Sequence, residues 1–81
     1  MKAIDFNNVF LHGLCLIGGY IDRNENNTIN NYDTSYSITD NNTIKIKLKN
    51  YYEKRYFIIK IENDFISLFY KNDFLDCCRF Q

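Results

Sequence analysis

One histidine and three cysteines are the side chains best suited to soft-metal or nucleophilic chemistry in this 81-residue sequence, and their spacing is uneven. His12 and Cys15 stand at an interval that zinc sites use, whereas Cys77 and Cys78 are adjacent. Neighbouring strand residues point to opposite faces, so Cys77 and Cys78 do not make a second ligand pair. His12 and Cys15 are weak metal candidates, small apolar core cysteines are the competing reading, and no cofactor is expected. A cysteine nucleophile would draw on the same histidine, yet no Gly-rich oxyanion turn accompanies it. Asp64 and Asp73 read as turn residues and Glu53 and Glu62 as solvated ones, which leaves no paired carboxylates for acid-base work. Gly18-Gly19 lacks the lysine and helix of a phosphate loop. The expectation is a protein that is not an enzyme.

Binding chemistry is more legible. Lys45, Lys47 and Lys49 alternate with apolar residues and therefore share one face of a strand. Lys54, Arg55 and Lys60 lie nearby, with Tyr51, Tyr52 and Tyr56 beside them. Cations interleaved with aromatic rings on a sheet are what single-strand nucleic-acid surfaces use, through phosphate attraction and base stacking. Two other readings compete: an edge strand whose lysines discourage aggregation, and a contact surface for an acidic protein.

Such residues need a sheet to position them. Thr43 to Lys49 alternates with period two, and Arg55 to Glu62, Phe65 to Lys71 and Phe74 to Phe80 are further strands. Asn63-Asp64 and Asn72-Asp73 read as two-residue hairpin loops, because Asn and Asp tolerate positive φ. Counting from these loops pairs Ile61 with Ile66 and Ile59 with Leu68, then Tyr70 with Leu75, Leu68 with Cys77 and Phe65 with Phe80. One face then carries Ile44, Ile46, Leu48, Phe57, Ile59 and Ile61. The other mixes Tyr56, Ile58, Phe65, Phe69, Phe74, Cys78 and Phe80 with Lys45, Lys47, Lys60, Lys71 and Asp76, an aromatic load that calls for cover by the first forty residues or by a partner. Phe65, Phe69 and Phe74 join Lys45, Lys47, Lys49, Tyr51, Tyr52 and Tyr56 as candidate partner-binding residues.

The first half is less regular. Asp5, Phe6, Val9, Phe10 and Gly13 fit a short capped helix or a strand, and Val9 to Ile21 reads as a buried strand bent at Gly18-Gly19. Asp22 to Asn31 is a polar loop in which the Asn run is either a recognition loop or solvated drift. Thr34 to Thr39 is a strand turned by Asp40 to Asn42. The fold class expected is mainly β, or β-rich α+β: a single small domain over 1–81 with a five- to six-stranded antiparallel meander and at most one or two short helices. Residues 1–42 would form a covering segment and loop, and 43–81 a four-strand meander.

Length and composition bound the function. A chain this short builds one modest core, and its aromatic content of 17% excludes disorder. Zero net charge argues against both a strongly basic nucleic-acid binder and an acidic mimic of nucleic acid. An odd cysteine count without a framework pattern, together with an acid ahead of any apolar run, points to a reduced, cytoplasmic protein with no membrane association. Residues with AT-rich codons (Asn, Ile, Lys, Tyr, Phe) make up more than half of the chain, as expected of an AT-rich bacterium, a phage, a plasmid or a large DNA virus. In a phage or virus, the compartment would be the host-cell cytoplasm.

In size and character, though in no motif, the chain resembles the small inhibitors that phages and mobile elements carry against bacterial defence nucleases, anti-CRISPR proteins among them. That resemblance implies a small intracellular inhibitor that works by occluding a protein or ribonucleoprotein. The alternatives are a single-stranded nucleic-acid-binding module using the Lys/Tyr face and a toxin-neutralising immunity protein. A homodimer is a further way to cover the aromatic face.

Overall fold

A computed structural model describes residues 3–80; Met1, Lys2 and Gln81 lie outside the described residues, and with them the start of the segment read for a leader. One helix, α1 (Phe6–Glu25), leads through a 3-10 turn at Ile29–Asn31 into five strands: β1 (Asp33–Asp40), β2 (Thr43–Lys49), β3 (Lys54–Glu62), β4 (Phe65–Tyr70) and β5 (Asp73–Arg79). The strands pair antiparallel in chain order, so the sheet is a meander and the compact domain is mainly β, as expected. No helix among the described residues is long and apolar enough to cross a membrane.

The long helix corrects the reading of Val9 to Ile21 as a strand bent at Gly18-Gly19. Asp5 caps it, its Oδ1 accepting from the Asn8 amide at 3.2 Å. Val9, Gly13, Ile17 and Ile21 then fall at intervals of four along one buried stripe. Leu11 and Cys15, which make the segment look continuously apolar, face outward. Asn26 ends the helix in the left-handed conformation (φ 51°), and Asp22–Glu25, read as loop, form its last turn.

The helix lies across one face of the sheet. Val9, Ile17 and Ile21 join Ile44, Ile46, Leu48, Phe57, Ile59, Ile66 and Leu68 in a single core. The helix lies close to the sheet at Gly13, where an added Cβ would stand 2.7 Å from the Ile46 side chain and 3.0 Å from that of Ile59. α1 therefore covers the aliphatic face, and not the aromatic face for which a cover was expected.

Pairing of β3 with β4 follows the counted register, Ile61 with Ile66 and Ile59 with Leu68. The β4–β5 hairpin departs from it. Lys71 and Asn72 (φ 50° and 71°) form the two-residue loop, closed by Tyr70 with Asp73, so the loop sits one residue earlier than Asn72-Asp73. A bulge follows, with Phe69 opposite Phe74 but Leu68 opposite Asp76, leaving Leu75 as the extra residue. One inserted residue exchanges the faces of everything beyond it. Cys77 therefore pairs with Ser67 on the outer face, while Asp76, Cys78 and Phe80 turn toward the helix, opposite to their expected sides.

Candidate interaction face

The outer face, opposite α1, is assembled from alternate residues of adjacent strands. On β2, Lys45, Lys47 and Lys49 stand opposite Ile58, Tyr56 and Lys54 of β3. Next to them Ile58 pairs with Phe69 and Lys60 with Ser67 of β4; beyond these, Phe69 pairs with Phe74 and Phe65 with Arg79 of β5. The lysine strand is flanked by β1 and β3, which corrects its reading as a sheet edge. Its lysines project from the middle of a surface.

Each of three cations on this face sits against a ring. Lys45 Nζ is 5.3 Å from the Tyr56 centroid, Lys60 Nζ 5.0 Å from Phe69, and the Arg79 guanidinium 5.3 Å from Phe65. These separations are within cation–π range. Phe69 and Phe74 meet edge to face at 5.8 Å. Tyr56, Phe65 and Phe74 are 46%, 43% and 58% exposed, although burial is what such rings ordinarily gain from folding. A shallow groove of about 190 Å³ runs beside Ser35, Ser37, Lys45, Lys47 and Tyr56.

Tyr51 and Tyr52 lie at the tip of the β2–β3 turn rather than on the sheet. Asn50 shapes this turn, its Oδ1 accepting from the amides of Tyr52 and Glu53 at 2.9 Å each. The two rings touch edge to face at 5.3 Å and stand almost wholly in solvent, just past the Lys49–Lys54 pair. A cleft of about 490 Å³ separates them from Asn27 and Asn31.

Charge is segregated by face, which the zero net balance conceals. Lys45, Lys47, Lys49, Lys54, Lys60 and Arg79 fall on the outer face by register, with Asp33 opposite Lys49 and with Asp40 and Glu62 at its margins. Among the described residues, no carboxylate lies within salt-bridge distance of Lys45, Lys47, Lys49 or Lys60. Arg79 is absent from the sequence-based set because its side is decided by the bulge.

Arg55, read as a neighbour of the lysine stripe, belongs to the other side. It is buried, bonded to Glu25 and stacked near the rings of Phe57 and Tyr70 at 5.2 and 4.9 Å. The hydrogen bonds to Glu25 hold the guanidinium pKa above its ordinary value and pull the Glu25 carboxyl below its own. The Asn-rich loop is likewise structural: Asn27 Oδ1 accepts from the Thr28 amide and from Asn31 Nδ2, while Asn27 Nδ2 donates to the Tyr32 hydroxyl.

His12 and Cys15 sit on α1. The His12 Nδ1–H donates to the Asn8 carbonyl at 3.0 Å and its ring meets Phe80 edge-on, while Cys15 is exposed. Among the described residues no three His, Cys, Asp or Glu side chains gather into a metal-binding group. Burial raises the Cys78 thiol pKa, with Asp76 adding to the rise, so this cysteine is held in its unreactive protonated form.

No protein-family model, curated protein or solved structure matches the chain, and its functional reading rests on this geometry.

Proposed function

We propose that the chain is a non-enzymatic binding protein that docks the outer face of its sheet onto a macromolecule and acts by covering what it contacts. The observation that carries this reading is the position of Tyr56, Phe65, Phe69 and Phe74: they form one rigid face with Lys45, Lys47 and Lys60, while the helix is spent on the opposite face. Rings held by a sheet lose little conformational freedom on binding, which suits them as anchors. The inhibitor of a defence nuclease is the specific form of this reading in which the covered partner is a ribonucleoprotein. Segregated positive charge supports it, since an RNA-bearing surface is anionic. A nuclease-neutralising immunity protein would ordinarily present acids there instead.

The test is capture from the native host with the wild-type chain and with a Tyr56→Ala/Phe74→Ala variant, both exposed positions. Partners retained by the wild type and lost by the variant support docking through this face. Identical capture by the two proteins removes it.

A further inference from the structure

The residue types on the outer face discriminate between classes of partner. Protein–protein interfaces are enriched in Tyr, Phe and Arg but depleted in Lys and Ser, so the rings suit either class and the lysines and serines are what discriminate. This face displays Lys45, Lys47, Lys49 and Lys60, with Ser35 and Ser37 beside them on β1 and Ser67 on β4. Lys49 stands between Asp33 of β1 and Lys54 of β3, whereas Lys45 and Lys47 have no acidic cross-strand neighbour and are left for an external anion. A second copy of the chain stacked on the same face would bring these cations against their own images. Phosphate supplies the missing charge, and the rings between the cations supply what phosphate alone does not use, a stacking platform.

Dimensions narrow the class further. Alternate residues on β2 are about 6.8 Å apart along the strand, so Lys45, Lys47 and Lys49 form a linear row that an extended sugar-phosphate backbone can follow. The sheet is about 19 Å wide across its strands, and a major groove about 12 Å wide does not admit it. A duplex also keeps its base faces stacked on one another, whereas a single strand leaves them open.

We propose that the outer face binds single-stranded nucleic acid, its phosphates following Lys45, Lys47 and Lys49 and its bases stacking on Tyr56, Phe69 and Phe74. Tyr51 and Tyr52, past the end of the lysine row, offer a further stacking site for a terminal base. This assignment rests on the outer face being the contact surface and adds the chemistry of what it contacts.

The experiment is fluorescence anisotropy with labelled oligo-dT and oligo-U of about twelve nucleotides, and a duplex of equal length, from about 50 to about 200 mM salt. Single strands bind more tightly than the duplex, and log K falls against log salt with a slope of about −2, from three phosphates at about −0.7 each. Lys45→Ala/Lys47→Ala/Lys49→Ala brings the slope close to zero; Lys→Gln at the same positions serves if the alanine variant loses its thermal transition. Tyr56→Ala or Phe74→Ala weakens binding by about 5- to 100-fold with the slope unchanged, and Tyr56→Phe restores it. No binding at about 50 mM salt, a slope indifferent to the lysines, or duplex bound as tightly as single strand overturns the assignment. If oligonucleotides fail while face variants still lose a nuclease-resistant partner in the capture experiment, docking stands and its ligand is a protein. If the variants lose nothing in either experiment, both readings fall.

Discussion

Arg55 and Glu25 meet in a two-point clamp, Nη1 to Oε1 and Nη2 to Oε2, each at 2.7 Å. It fixes the last turn of α1 to β3 across thirty residues of chain, and only the Glu25 end reaches solvent, its side chain being 32% exposed. Replacing the carboxylate by an amide leaves the buried guanidinium without its counter-charge and with one accepting oxygen where it had two. Glu25→Gln is expected to lower stability by about 2 to 3 kcal/mol, and Arg55→Lys to lose most of the pair because an ammonium makes no fork. Urea denaturation at neutral pH measures both.

The same pair sets an acid limit. Glu25 has its pKa lowered by the Arg55 hydrogen bonds, so its contribution is fully present above the ordinary carboxylate pKa of about 4.3 and is lost as pH falls through the lower folded value. Wild-type melting temperature should therefore fall more steeply than that of Glu25→Gln below about pH 4.5, as read by thermal melts from neutral to acid pH.

Gly13 and Gly18 occupy the same helix and should respond in opposite directions to alanine. At Gly13 an added methyl meets Ile46 at 2.7 Å and Ile59 at 3.0 Å, so overpacking outweighs the gain in helix propensity and Gly13→Ala is expected to cost about 1 kcal/mol. At Gly18 the nearest atom, on Ile29, is 3.5 Å away, an ordinary contact. Gly18→Ala should stabilise by about 0.5 to 1 kcal/mol. A common sign for both substitutions would contradict this placement of α1 on the sheet.

The bulge in β5 makes a chemical prediction. Cys15 and Cys77 are exposed, whereas Cys78 is turned toward the core with its thiol pKa raised by burial. An aromatic disulfide reagent should label two thiols quickly and the third slowly, with Cys77→Ser removing a fast phase and Cys78→Ser the slow one. Fast labelling of Cys78 and slow labelling of Cys77 would mean that the strand runs without the bulge.

Asn72, at φ 71° in the second hairpin loop, is in the conformation that glycine accepts without strain. Asn72→Gly should hold or raise stability by a few tenths of a kcal/mol, and Asn72→Val should lower it by about 1 to 2 kcal/mol, since a β-branched residue strains there. Thermal melts of the two variants check this.

What the sequence determined by itself was the meander from Thr43 onward. Period-two alternation and the Asn-Asp loop at residues 63 and 64 are local signals, and they lock the register of β3 on β4 because a slip would expose Phe57 and Ile59. Seven of the candidate contact residues could be assigned to a common outer face from that alternation, with Tyr51 and Tyr52 left to the turn. The i, i+4 stripe of α1 was present too, but Leu11, Cys15 and Leu16 filled the gaps in the pattern, and three glycines lowered its helical weight. Tertiary packing overrode that local weakness, since the sheet needs an apolar lid and Gly13 lets the helix come close.

Three things were decided only by the fold: which face α1 covers, which side of β5 carries Arg79 and Cys78, and where Arg55 goes. Each depends on elements distant in sequence meeting in space, through a bulge that shifts parity by one residue or a carboxylate thirty positions away. Composition is blind to such meetings. It reports a chain of zero net charge, while the folded molecule places six of its ten Lys and Arg side chains on one face among exposed rings.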